Sequence, residues 1–297
     1  MAYRLEKGEP VPDGLKRIVR DEIDSAVGLL RGKRKASRDE AIHEARKSIK
    51  KVRAILKLVR AELGELYTPE NAELRDIARK LSGFRDAAAM IETFRDLKRS
   101  YAESIAPARL SSFGTALARA KKQAAASADF RNVLTEAESA LRRIGENAAT
   151  WPLKTDGFGA IQPGLKETYR RGRKALVRAR TDPSPENYHE LRKRAKDLLY
   201  QGRVLGIEKD DEKSLKDLET SLGDDHNLAL LRIGIPSFGN LRNTDLVLSL
   251  IDRHQKKLRD DALASADRIY KEKPREFVRR MKLECIAAEV DGATSSV

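Results

Sequence analysis

The feature that most constrains this chain is a stretch that occurs twice. Residues 42–59 read IHEARKSIKKVRAILKLV, with apolar or small side chains at Ile42, Ala45, Ile49, Val52, Leu56 and Val59. That alternation of three and four steps lays one apolar seam along a helix. One position on, His43, Arg46, Lys50, Arg53, Lys57 and Arg60 form a polar ladder beside the seam, widened by Lys47 and Lys51. Residues 188–205 read YHELRKRAKDLLYQGRVL, and at a constant shift of 146 residues His189, Glu190, Arg192, Lys193 and Lys196 fall on His43, Glu44, Arg46, Lys47 and Lys50. Packing alone would preserve the seam. It gives no reason to keep a histidine and four charged residues in register on the other face, so the ladder reads as a contact surface.

The charge on that surface says what it touches. Residues 38–60 carry eight Lys/Arg against Asp39, Glu40 and Glu44, and residues 166–180 carry seven against Glu167. Over 297 residues, 60 Lys/Arg stand against 46 Asp/Glu, a formal +14. Such an excess attracts a polyanion, be it nucleic acid, anionic lipid or another polymer. Cations three or four residues apart on a helix rise about 4.5 to 6 Å per step, which suits a linear polyanion better than one isolated phosphate.

Composition and punctuation set the fold class. Aromatics are 5% and charged residues 36%, the balance of long helices, and no alternating β-branched runs bounded by hairpin turns occur. The expected architecture is all-α: two pseudo-twofold-related antiparallel bundles of about four helices each, with an axis that lets the two histidine helices face each other across a cleft. The first bundle spans 1–150, a linker 151–164 and the second bundle 165–290, followed by a disordered tail at 291–297. Pro152, Gly157, Gly159 and Pro163 mark the linker, with Trp151 and Phe158 pinning it to the bundles. In the first half, helices are expected over 13–30, 38–66, 69–104 and 107–148, the second capped by Ser37 with Glu40. Two further pairs of segments match. Gly14-Leu15-Lys16 with Arg20 recurs as Gly164-Leu165-Lys166 with Arg170 at a shift of 150. LSGFRDAAAM from Leu81 aligns with LGDDHNLALL from Leu222 at a shift of 141, placing Arg85 opposite His226 and Asp86 opposite Asn227.

With both histidine helices and these segments in hand, the chain resembles the CHAD family, the conserved histidine α-helical domain. The resemblance rests on HEARKSIKKVR, HELRKRAK, the two GLK segments with Tyr169-Arg170-Arg171-Gly172-Arg173, LSGFRD and LGDDHNLAL. It implies a two-bundle helical fold around a basic central groove or pore that binds inorganic polyphosphate, and association with polyphosphate granules. Carried over to this sequence, His43, Arg46, Lys47, Lys50, Arg53, His189, Arg192, Lys193 and Lys196 are the expected groove residues, with Lys16, Arg20, Lys166, Arg170 and Arg173 from the first helix of each half. Some CHAD chains also carry a triphosphate-hydrolysing domain marked by E-x-E-x-K on a strand. The nearest string here, Glu136-x-Glu138, is followed by Ala140 in a helical pattern, so that activity is not expected.

No catalytic constellation stands out. The sole cysteine, Cys285, has no histidine near it in sequence, and there is no P-loop or two-metal set of acids. His226 beside Asp224 and Asp225 reads as a cap or salt-bridging residue rather than a metal ligand, and His254 as exposed. No enzyme activity, cofactor or metal is expected. Residues 1–11 lack the apolar core of a signal peptide and no run is long enough to span a bilayer, so a cytoplasmic protein with no membrane partner is expected. A helical nucleic-acid binder is the second reading and a phosphohydrolase the third. Bound phosphate favours imidazolium, so His43 and His189 are expected to gain charge on binding, with affinity falling as pH rises through their titration.

Overall fold

In a computed structural model, residues 2–32, 37–82, 86–125, 130–239 and 241–294 are described, and they form helices without a strand. Helix α1 (Val11–Leu30) follows Pro10. In α2 (Arg38–Leu58) the Ser37 hydroxyl accepts from the Glu40 amide at 3.3 Å, satisfying one of the orphan donors of the first turn. The basic helix stops short of residue 66. Val59 leaves helical backbone at φ −101° and ψ 21°, a single turn α3 (Arg60–Leu63) follows, and Gly64 takes φ 53°, which its missing Cβ permits.

The helix expected over 69–104 is two, α4 (Tyr67–Ser82) and α5 (Asp86–Ser100), and that over 107–148 is also two, α6 (Ser111–Ala125) and α7 (Phe130–Ala149). Arg85, aligned with His226 in the sequence, lies outside the described residues. The second half comprises α8 (Phe158–Thr181), α9 (Pro185–Leu205), α10 (Lys209–Gly234), α11 (Thr244–Ile269) and α12 (Pro274–Thr294). Residues 158–164, expected in the linker, are the first turns of α8, and α12 runs on into the expected tail. Trp151 is buried in the core and Phe158 packs against it.

The two halves share their cores. One cluster unites Leu15, Ile49 and Leu141 of the first half with Tyr169, Leu198 and Phe277 of the second. Another joins Phe94 of α5 and Phe113 of α6 to Leu231 of α10 and Ile251 of α11. Helix α2 lies against α9, where the buried Gln201 amide donates to the Ala54 carbonyl at 3.0 Å and Lys57 pairs with Asp197 at 2.5 Å. This interlocking brings the two histidine helices together. Among the described residues, no helix is long and apolar enough to cross a membrane.

Helix α8 crosses the end of α2 at Gly164, where a Cβ would sit 2.0 Å from the Leu58 carbonyl oxygen. Both atoms to be separated are tied to helix backbones, so the clash cannot be relieved by a rotamer change. Gly164→Ala is expected to cost about 2 to 3 kcal/mol, seen as a lower urea midpoint at unchanged m value. An unmoved midpoint would mean that the crossing opens freely.

Candidate functional site

The two ladders meet over their N-terminal halves, at a cleft of about 750 Å³. Helix α2 contributes His43, Arg46, Lys47 and Lys50, and α9 contributes Arg192, Lys196 and Arg203. Helix α10 adds Lys216, Glu219, Asp224 and His226, while α5 supplies Glu92 and Asp96. Among these described residues, seven Lys/Arg face four carboxylates.

The cations are crowded unevenly. Burial presses the Lys50 ammonium well below its ordinary pKa, and Lys196, Arg46 and Arg192 press it further. Lys50 itself makes no hydrogen bond or ion pair with the described residues. The one buried carboxylate among the described lining residues, Glu219, contacts three other cations: Lys196 at 2.6 Å, Lys216 at 2.9 Å and Arg192 at 3.6 Å. Burial pushes its carboxyl up, but Lys196 and Lys216 outweigh that and hold it at about 2. Lys196 does not gain in return: burial and Arg192 lower it despite the pair, because it shares a single carboxylate with two other cations. Glu219 therefore acts as a built-in counter-anion that orders part of the cleft, and its pull on Lys50, made without direct contact, is outweighed by burial and by Lys196, Arg46 and Arg192.

Arg192 reaches over α10 at Gly223, where a Cβ would lie 3.3 Å from its guanidinium, so the glycine clears the way. Its Nε is buried without an acceptor. Beside it the His189 and His226 rings stack with centroids 4.1 Å apart and planes at 28°, and His189 Nδ1 is likewise buried and unpaired. Burial, then Lys193 and Arg192, push His189 down to about 4. Burial, then His189 and Arg192, push His226 down to about 3. Both rings are thus neutral near pH 7, two weakly basic groups awaiting a negative neighbour.

Not every expected groove residue reaches the cleft: His189 is not among its lining residues and adjoins it through the stacked His226. Arg53 turns to α4, donating to Asn71 at 3.0 Å, and Lys57 is taken by Asp197. Lys193 is exposed and paired with Glu190. The α1 and α8 contributions lie elsewhere: Lys16 is half-buried and Arg20 exposed, and neither they nor Lys166 line the cleft. Arg170 is bridged to Glu167 at 2.7 Å, and Arg173 donates to the Glu272 carbonyl at 2.7 Å.

Two histidines sit differently from their sequence reading. His226 lies in mid-helix, stacked on His189, because LGDDHNLAL belongs to the uninterrupted α10 and starts no turn. His254 is half-buried at the cleft and edge-on to Tyr101 at 6.0 Å rather than exposed. Sequence reading passed over Lys216, Glu219 and Arg203. A signal for two of these exists, since Lys216, Glu219, Gly223 and His226 repeat at three and four steps and so share one face of α10.

A family model, the CHAD domain, matches residues 17–233, from α1 to near the end of α10. The crystal structure of the CHAD domain from the plant Ricinus communis is similar, with 13% identity, 91% of this chain and 95% of that chain covered and a TM-score of 0.61. PptA from Streptomyces chartreusis is similar at 15% identity, over 93% of this chain and all (100%) of that one, with a TM-score of 0.58. No curated protein matches the chain. At these identities the structural likenesses speak for the fold alone.

Proposed function

The chain belongs to the CHAD-domain family, and from that premise we propose that its basic cleft binds inorganic polyphosphate, without turnover. The observation that carries the reading is Lys50, held among Lys196, Arg46 and Arg192 with no carboxylate of its own. A bound phosphoryl chain would supply further negative charge, accept from the Arg192 guanidinium and bridge cations drawn from both halves of the molecule. Lysine suits such a ligand as a point charge and arginine as a fork that spans two oxygens. The repeat distance of the cations along α2 fits a ligand with charge at regular intervals.

The cleft favours a bare phosphate chain over nucleic acid. The only Phe, Trp or Tyr among its described lining residues is Tyr200, 3% exposed, so a base finds no open Phe, Trp or Tyr ring on which to stack. Salt weakens either partner by counterion release, so ionic strength must be held fixed. In competition at equal charge, long-chain polyphosphate is expected to displace single-stranded DNA and RNA by at least about tenfold in affinity, about 1.4 kcal/mol. A preference for nucleic acid overturns the proposal. Release of orthophosphate from bound polymer would overturn the absence of turnover while leaving the binding site in place.

A further inference from the structure

On a different face of α2 from the basic cleft, Ser48 is 6% exposed and its hydroxyl bonds to none of the described residues. Serine in mid-helix commonly satisfies itself on its own backbone, and this one does not. Here it lines a second, open pocket of about 700 Å³, bordered by α1, α2 and the N-terminal residues Ala2 and Tyr3.

The pocket is acidic on a chain whose net charge is +14. Its charged lining is Asp21, Glu22, Asp24 and Glu44 against Lys51. Internal pairing uses up two of the carboxylates: Lys51 holds Glu22 at 2.6 Å, and Lys47 holds Glu44 at 3.2 Å. Asp21, paired only at long range with Arg17, and Asp24 lie one turn apart on α1. Asp21 Oδ2 is buried with no hydrogen-bond partner, its nearest cation being Arg17 at 3.8 Å, and Asp24 is exposed at the rim. Between and beyond them lie Ile18, Leu29 and the Tyr3 ring.

We propose that this pocket binds a linear aliphatic polyamine. Each part of such a ligand has a match: ammonium groups for Asp21 and Asp24, an N–H donor for the Ser48 hydroxyl, and methylenes for Ile18 and Leu29. A polyamine also solves a problem that a metal ion does not. The pocket has the size of an organic-ligand site, and no group of three metal-ligating side chains is present among the described residues. The inference does not depend on what fills the basic cleft.

The test is calorimetric titration of the full chain, freed of polyanions, with spermidine at constant ionic strength, beside Mg²⁺ and a Lys-rich peptide. The expected result is one spermidine per chain, with affinity lowered at least about tenfold by Asp21→Asn/Asp24→Asn and about threefold by Ser48→Ala. The cleft variant Lys50→Ala/Arg192→Ala should leave it within about twofold, which separates this site from the polyphosphate reading. Asp24→Asn alone, on an exposed residue, serves should the double variant fail to fold, and is expected to weaken binding about threefold. Equal spermidine binding by wild type and the carboxylate variants overturns the proposal. So does displacement by Mg²⁺ at equal charge, or a Lys-rich peptide that spermidine cannot displace, which would make the pocket a protein-docking site.

Discussion

Lys50→Ala combined with Arg192→Ala is expected to lower the affinity for long-chain polyphosphate about 100-fold while raising the melting temperature by about 2 °C. The two effects have one cause. Lys50 is half-buried among Lys196, Arg46 and Arg192, so its charge opposes folding in the free protein. The same charge becomes an asset once phosphates surround it. A hydrogen bond to a charged group contributes about 1.5 kcal/mol or more, and losing two accounts for the hundredfold. Removing Arg192 leaves Glu219 with Lys196 and Lys216, so that carboxylate keeps its partners. The measurements are a titration with polyphosphate and a thermal melt on each variant. Lys166→Ala/Arg170→Ala, which removes the same formal charge outside the cleft, should change affinity less than about threefold. Equal losses from the two double variants would make the attraction diffuse, and an unchanged affinity in the cleft variant would empty the cleft of its assigned role.

The sequence repeat marks both where the cleft lies and where it ends, although only the first was read from it. The register between the two halves holds from His43/His189 to Lys50/Lys196, and the side chains of α2 and α9 that line the cleft fall mostly within it. At the next step it breaks, with Lys51 opposite Asp197 and Arg53 opposite Leu199. From there on the ladder serves structure: Lys57 crosses to Asp197, and Arg53 bonds to Asn71. Periodicity shows which residues share a helix face. It does not show which partner helix covers each end of that face. The basic residues of α1 and α8 were legible as charge but not as place, since Arg170 and Arg173 answer to Glu167 and to the Glu272 carbonyl. Helix α10 was missed for a different reason. Its cleft face mixes Lys216, Glu219, Gly223 and His226, and a search for accumulated positive charge passes over a carboxylate whose task is to hold cations in place. The interlocked cores were also hidden, because the apolar seams of α5 and α6 look the same whether they pack within their own half or, as here, against α10 and α11.

Acidification should weaken the fold and strengthen polyanion binding over one pH range, with the stacked histidines as the common origin. Burial and the neighbouring cations hold His189 at about 4 and His226 at about 3 in the folded chain, against an ordinary value of 6.5. The unfolded chain therefore takes up protons first. The histidine contribution to stability is complete above about pH 6.5 and is lost progressively as pH falls towards 4, amounting to about 3 kcal/mol for His189. Carboxylates add their own acid dependence, so the comparison is with His189→Gln, whose urea midpoint should fall less between pH 7 and pH 4.5. Polyphosphate shifts the balance, because phosphates laid beside Lys50 and Arg192 offset the cationic field that adds to burial in keeping the rings neutral. Their pKa values rise in the complex, binding takes up protons, and affinity climbs as pH drops below the bound-state value and levels off below the free one. Charge gain at His189 thus belongs to the complex, the ring being neutral in the free protein near pH 7. Titrations at pH 5.5 in two buffers of different ionisation enthalpy measure that uptake directly. Proton uptake absent from wild type, or unchanged in His189→Gln, would detach the imidazole pair from the binding site and leave it a packing feature of α9 on α10.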